Sequence, residues 1–216
     1  MKIGILILGI LIMTVVPYIL GCSNGSILVS KYILHDDIRQ HGSGNAGMTN
    51  FLRVFGKKLI IPVVLFDILK AVISVLLGTL GVHLMQSAGC DLLVSVQGKY
   101  IASLCCELGH MFPAFFGLKG GKGILSGGFI AIMIDWRLAL VVWGSFLILA
   151  VITKYVSLGS VSTGVWFPII SILLFPDPVV AVTSIAIGGL IIWCHRSNIS
   201  RLIHGTESKF SIHKNS

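Results

Sequence analysis

Leu59-Ile60-Ile61-Pro62-Val63-Val64-Leu65-Phe66-Asp67-Ile68-Leu69-Lys70-Ala71-Val72-Ile73-Ser74-Val75-Leu76-Leu77 decides the fold class. Wound as a helix, a stretch of this length spans a hydrocarbon core of about 30 Å. Strand-like alternation is absent, so a helix is expected. Backbone in lipid must be satisfied within helices or closed barrels. Asp67 and Lys70 interrupt the run, and each would cost about 2.5–3.5 kcal/mol at the centre of an inserted helix. Their i, i+3 spacing lets them neutralise one another. That structural pairing is favoured over substrate contact.

The rest of the chain has the same character. Of its 216 residues, 55% are hydrophobic and 11% charged, against roughly 25% charged in soluble domains. Further spans are expected at 3–21 (extending toward Lys31), 101–116, 124–134, 138–153, 158–175 and 179–194. The fold class is therefore all-α: a polytopic integral membrane protein of about seven transmembrane helices. A single membrane-embedded domain covers 1–216, with no room for a separate soluble one. Pro176 and Pro178 mark a tight turn, and Gly78 to Lys99 reads as a longer connection.

Charge orients the spans. With the N-terminus outside, cytoplasmic segments carry Lys31, Arg39, Arg53, Lys57, Lys58, Lys119, Lys122, Lys154, Arg196, Arg201, Lys209 and Lys214. Only Lys2, Lys99 and Arg137 fall outside, a strong positive-inside bias. The C-terminus is then cytoplasmic. Lys2, an apolar stretch and Ile19-Leu20-Gly21-Cys22 also resemble a lipoprotein signal. Cleavage there would place the next basic loop outside, against the bias. The net charge of +8 suits topology and anionic ligands. No aromatics are interleaved with the cations as a nucleic-acid groove needs.

Three polar patches lie beside the greasy runs. The first, His41-Gly42-Ser43-Gly44-Asn45-Ala46-Gly47-Met48-Thr49-Asn50 with Arg53, has glycines that can turn amides toward an oxyanion. A helix starting near Thr49 would put Arg53 one turn in. By itself the patch reads better as a flexible, capped loop. The second, Lys119-Gly120-Gly121-Lys122-Gly123, lacks the full P-loop pattern. It reads equally as a phosphate turn built on Lys122 or as a topology anchor. Glu107 and His110 upstream share a helical face and suggest a structural contact. In the third patch, His195, Asn198 and Arg201 would cluster on one side of a continuing helix. His195 could move a proton or serve as an interfacial anchor. Ser157 and Ser160 read first as caps of the sixth span.

The five cysteines show no metal spacing and read as buried thiols. Asp36-Asp37 reads as a solvated pair, so no metal and no cofactor are expected.

Together the patches resemble the PlsY family, the bacterial membrane glycerol-3-phosphate acyltransferases that use acyl phosphate. Gly42–Arg53 reads GSGNAGMTNFLR against G-S-G-N-x-G-A-T-N-x-x-R. Gly109–Gly123 reads GHMFPAFFGLKGGKG against G-H-x-x-P-x-F-x-x-x-K-G-G-K-G. His195–Glu207 reads HRSNISRLIHGTE against H-R-x-N-I-x-R-L-x-x-G-x-E. Asp67-x-x-Lys70 and Tyr155–Ser160 also match. Order and spacing fit over nearly the whole chain. Met48, Ile124-Leu125-Ser126 and Cys22-Ser23-Asn24-Gly25 depart from the usual pattern.

The resemblance implies acyl transfer from acyl phosphate to the 1-hydroxyl of glycerol 3-phosphate, giving lysophosphatidic acid and phosphate. This is the first acylation of phospholipid synthesis, at the cytoplasmic face of a bacterial cell membrane. It implies catalytic roles for Ser43, Lys122 and His195. It implies substrate contacts for Gly42, Gly44, Asn45, Thr49, Asn50, Arg53, Gly120, Gly121, Gly123, Ser160, Asn198 and Arg201. The expected partners are acyl phosphate, glycerol 3-phosphate and the bilayer, with no nucleic acid. A substrate phosphate oxygen or His195 would act as base. Two rivals stand beside this reading: a transporter of a phosphorylated metabolite, and a thioester-dependent acyltransferase. The latter's H-x-x-x-x-D pair is absent.

Overall fold

A computed structural model describes residues 1–209. Lys214, counted above among the cytoplasmic cations, lies outside the described residues. Those described form eleven α-helices and two short 3-10 turns, with no strand among them. They divide into two compact units, Met1–Ile134 and the residues from Asp135 onward.

The first unit holds α1 (Lys2–Met13), α2 (Val15–Cys22), α3 (Gly25–Tyr32), α4 (Met48–Phe55), α5 (Ile60–Ser87), α6 (Ser95–Met111) and α7 (Ile124–Ile134). Its pole is α5, against which α1, α2, α3, α6 and α7 all pack. Small residues permit the approach, as is usual where lipid offers no hydrophobic drive between helices. A Cβ on Gly78 would overlap the Gly98 carbonyl, one on Gly21 the Cys106 carbonyl, and one on Gly25 the Val63 carbonyl.

This packing explains where the helices depart from expectation. α5 continues to Ser87, beyond Leu77, because Gly78 and Gly81 seat it on α6 and α1. Of the supposed 78–99 connection, 78–87 and 95–99 are therefore helix. α6 begins at Ser95 and stops at Met111, ahead of Pro113, which has no amide to donate. The first span breaks at Thr14, whose hydroxyl donates to the Ile10 carbonyl.

Among the described residues four helical stretches are long and apolar enough to cross a membrane: Lys2–Cys22, Ile60–Ser87, Trp136–Thr153 and Val156–Leu174. Pro178–Cys194 and Arg196–Ile203, bent by 57°, make a fifth when the pair is counted as one span. The expected spans at 101–116 and 124–134 fall short of that test. The 11 residues of α7 reach only about 16 Å, and the 17 of α6 carry Lys99 and Glu107.

The second unit holds α8 (Trp136–Thr153), α9 (Val156–Leu174), α10 (Pro178–Cys194) and α11 (Arg196–Ile203). α9 packs on both α8 and α10. The turn expected at Pro176 and Pro178 is present. Asp177 caps α10 there by accepting the Val179 and Val180 amides. The outer side of α8 exposes Leu140, Leu147, Ile148, Val151 and Ile152, the surface of a helix facing lipid.

Candidate functional site

The first patch is a tight loop built around one side chain. Asn50 is 3% exposed. Its amide nitrogen donates to the carbonyls of His41 and Asn45, both at 3.0 Å. Its oxygen accepts the Ser43 amide at 3.0 Å. The Gly44 amide donates to the His41 carbonyl. Gly42 and Gly44 have φ of 59° and 71°, and a Cβ on Gly42 would strike Asn50. The amides of Ser43 and Gly44 are thus engaged inside the loop and do not converge on an anion. Asn50, expected to touch substrate, is the loop's frame.

Ser43, Thr49 and Arg53 are exposed, as are Gly42 and Gly44, with Asn45 half-buried. α4 starts at Met48 with Gly47 as its N-cap and no side-chain cap. Arg53 lies in the last turn of this helix, not beside its positive end. It stands one turn beyond Thr49 on the same side.

The second patch folds back on the end of α6. Gly120 and Gly121 donate their amides to the carbonyls of Met111 and His110, each at 3.1 Å. These two glycines therefore shape the loop and do not present free amides. A Cβ on Gly121 would overlap His110 Nε2, and one on Gly123, at φ 74°, would overlap the Glu107 carboxylate. Lys122 stands between them, half-buried.

Arg39 joins the first two patches. Its Nη1 donates to the carbonyls of Phe116 and Lys119, while Asp37 holds its other face, with Nη2 at 2.7 Å. The hydrogen bonds from Arg39 hold the Asp37 carboxyl below the usual carboxylate range. Asn24, fully buried, caps α3 and donates to the Ala46 carbonyl at 3.0 Å. Sequence reasoning assigned neither residue a site role. Asn24 before a helix start and the Asp37-x-Arg39 spacing were the available signals.

Below the second patch lies a buried ionisable row. Lys70 Nζ is 2.8 Å from Asp67 and 2.6 Å from His110 Nδ1. It also donates to the carbonyls of Gly21 and Ser23 at 3.3 and 3.4 Å. The Asp67–Lys70 pairing is as the spacing implied. The supposed Glu107–His110 contact is not made: His110 turns to Lys70, and Glu107 faces Gly123.

The third patch is a separate assembly in the second unit. The helix does not continue smoothly: it breaks at His195, between α10 and α11. His195 is 3% exposed, and its Nδ1 lies 2.8 Å from the Ile191 carbonyl. A carbonyl only accepts, so Nδ1 carries a proton and Nε2 is the basic nitrogen of the neutral ring. Asn198 and Arg201 both reach Glu207, at 2.8 and 2.6 Å. Gly205, at φ 68°, returns the chain so that they can. Burial works against ionisation of Glu207. The hydrogen bonds from Asn198 and Arg201 outweigh it and lower its pKa. Ser160 is buried and donates to the Val156 carbonyl. Tyr155, and neither serine, is the N-cap of α9.

A helical membrane protein with compact glycine-rich cationic loops at its helix ends is the class that fold and site define. A family model described as glycerol-3-phosphate acyltransferase matches residues 11–205. A glycerol-3-phosphate acyltransferase of Thermoanaerobacter sp. (strain X514) is 38% identical over 195 residues, covering 90% of this chain and 92% of that one. One from Clostridioides difficile (strain 630) is 37% identical over 199 residues, covering 92% and 94%. The crystal structure of PlsY (YgiH), an integral membrane glycerol 3-phosphate acyltransferase, is similar in its glycerol 3-phosphate form. The TM-score is 0.79 at 30% identity, over 94% of this chain and 96% of that one. Its lysophosphatidic acid form gives 0.76 at 29%, over 94% and 95%. The chain belongs to the glycerol-3-phosphate acyltransferase family, of the PlsY type.

Proposed function

We propose that this chain transfers a fatty acyl group from acyl phosphate to the 1-hydroxyl of glycerol 3-phosphate, releasing lysophosphatidic acid and phosphate. The observation that carries the reading is the Lys119–Gly123 loop, folded onto the end of α6 and clasped by Arg39 to the first glycine loop. Such a turn presents cationic nitrogen at a helix mouth, where an acyl phosphate's head would sit while its chain stays in lipid. An acyl phosphate is already an activated anhydride, so no covalent enzyme nucleophile is needed. Positioning two anions and stabilising a developing oxyanion is the remaining work.

In this reading Lys122 holds the donor phosphate, and Ser43, Asn45 and Thr49 line the same loops. Gly42, Gly44, Gly120, Gly121 and Gly123 give the loops their shape, framed by Asn50. In the second unit His195 and Asn198 receive glycerol 3-phosphate, with Ser160 and Arg201 supporting them; Arg53 of the first unit is assigned to the same substrate by its place in the family-like motif alone. His195 Nε2 is the nitrogen that takes the hydroxyl proton as the C–O bond forms and the bond to phosphate breaks. His195→Ala with unaltered turnover would exclude an essential histidine base and leave a phosphate oxygen in that role.

We place the loops on the cytoplasmic side of a bacterial plasma membrane, with the N-terminus outside and both units in one acyltransferase domain. The cation bias supports this. Arg39 also ties the segment ahead of α4 to the loop that follows α6, which favours α6 as a short return crossing.

The test is protein in lipid with labelled glycerol 3-phosphate, offered palmitoyl phosphate, palmitoyl-CoA or acyl carrier protein thioester separately. The expected result is product from palmitoyl phosphate alone, one phosphate per lipid, lost in Lys122→Ala. Product only from thioesters would move the chain to another donor class. No product from folded protein would favour transport.

A further inference from the structure

Lys70 lies mid-helix, 3% exposed, and touches nothing that the proposed reaction uses directly. Its ammonium nevertheless reaches toward the loop that carries Lys122. An ammonium can only donate, so at 2.6 Å His110 Nδ1 must accept. The ring's proton is then on Nε2. That nitrogen lies where a Cβ on Gly121 would be, and His110's own carbonyl accepts the Gly121 amide. The ring orientation thus sets how closely the loop settles immediately before Lys122. Asp67 fixes the other side of the ammonium at 2.8 Å and accepts the Gly25 amide at 3.3 Å. Next to Gly25, Asn24 holds Ala46 of the first loop. One buried pair therefore reaches both loops, through His110 on one side and through Gly25 and Asn24 on the other.

We propose that Lys70 is a positioning residue for the donor phosphate: through the His110 ring it seats Gly121 and aims Lys122. This rests on the role of Lys122 given above. A displacement of about 1 Å at a positioning group can cost up to about a hundredfold.

Lys70→Met alone would strand Asp67, so the informative variant is Asp67→Asn/Lys70→Met, which leaves no buried charge. Folding is checked by thermal unfolding and gel filtration in detergent. The probe is palmitoyl phosphonate, a donor analogue that cannot transfer its chain, with binding measured by calorimetry. Wild type, Lys122→Ala, Asp67→Asn/Lys70→Met and the triple variant form a cycle. The expected result is folded protein whose phosphonate affinity falls about tenfold or more in the Asp67/Lys70 variant. The triple variant should fall no further than Lys122→Ala, because both changes remove one contact. Multiplying losses would overturn the proposal, as would wild-type affinity in the Asp67/Lys70 variant while Lys122→Ala is weakened. Unaltered binding in Lys122→Ala would remove the assigned role of Lys122 and this proposal with it. If the Asp67/Lys70 variant fails to fold, His110→Phe decides in the same cycle. It keeps ring volume, loses Nδ1, and should weaken phosphonate binding through Lys122. Wild-type affinity in folded His110→Phe would overturn the proposal.

Discussion

Asn50 commits its amide and its carbonyl to the backbone around it, and the first loop depends on that. Asn50→Ala removes three partly buried hydrogen bonds and a longer buried one to the Ile38 carbonyl, and should lower stability by about 2–4 kcal/mol at about 0.5–1 kcal/mol each. Thermal unfolding checks this, and the KM for glycerol 3-phosphate should rise with it. Two glycines, one just before the second loop and one at its end, separate strain from collision. Gly117 has φ 67° with open space around it, so Gly117→Ala should cost only the left-handed penalty of about 1–2 kcal/mol. Gly123 has similar backbone but faces Glu107 and Met111, so Gly123→Ala should displace the loop and abolish activity in folded protein. Glu207 supplies a pH signature. Its pKa is lowered by folding, so its contribution is present above the ordinary glutamate value of about 4.3 and lost as pH falls through the folded value. The stability gap between wild type and Glu207→Gln should therefore close on acidification below about pH 4.3 and stay open at neutrality, as melting curves against pH would show. Residue types around the loops were legible in the sequence. Their division of labour was not, because whether Asn50 or Ser43 faces solvent depends on which carbonyls the fold brings near.

Among the elements, α5 shows what periodicity reveals and what it conceals. Its apolar run and its charge pair were readable, but its end was not. Gly78 reads as the start of a connection, yet it is a contact point: Gly98 of α6 approaches so closely that neither position tolerates a Cβ. Gly78→Leu should drive the two helices apart and prevent folding, seen as loss of a monodisperse gel-filtration peak. Gly89, with no neighbour within 4 Å, should accept alanine at the cost of its left-handed φ alone. α7 was legible as apolar and as short: the bounding charges gave 124–134, and the helix runs Ile124–Ile134. Its ends are set by the loop turning at Gly123 and by Asp135 capping α8. α11, by contrast, escaped. His195, Asn198 and Arg201 have helical spacing, but the bend at His195 is a backbone event without a proline or glycine to announce it.

For the molecule as a whole, composition was the strongest guide. Few charges and long apolar runs fixed an all-helical membrane protein before any site was considered. Cation placement orients it, and that is testable in cells. Lys154→Cys should react with a membrane-impermeant maleimide only after permeabilisation, and Lys99→Cys should react in intact cells once the natural cysteines are replaced. The reverse pattern would invert the topology. The crowding of Lys70 by partners from both sides of the chain bears on how the protein is made. The Gly21 and Ser23 carbonyls and Asp67 all precede Lys70 in sequence, whereas His110 follows it by forty residues. As the chain leaves the ribosome, the ammonium therefore meets its counter-ion and two acceptors before α6 exists. The helix can enter lipid already neutralised, and the later arrival of His110 adds no charge to the bilayer but brings α6 into register.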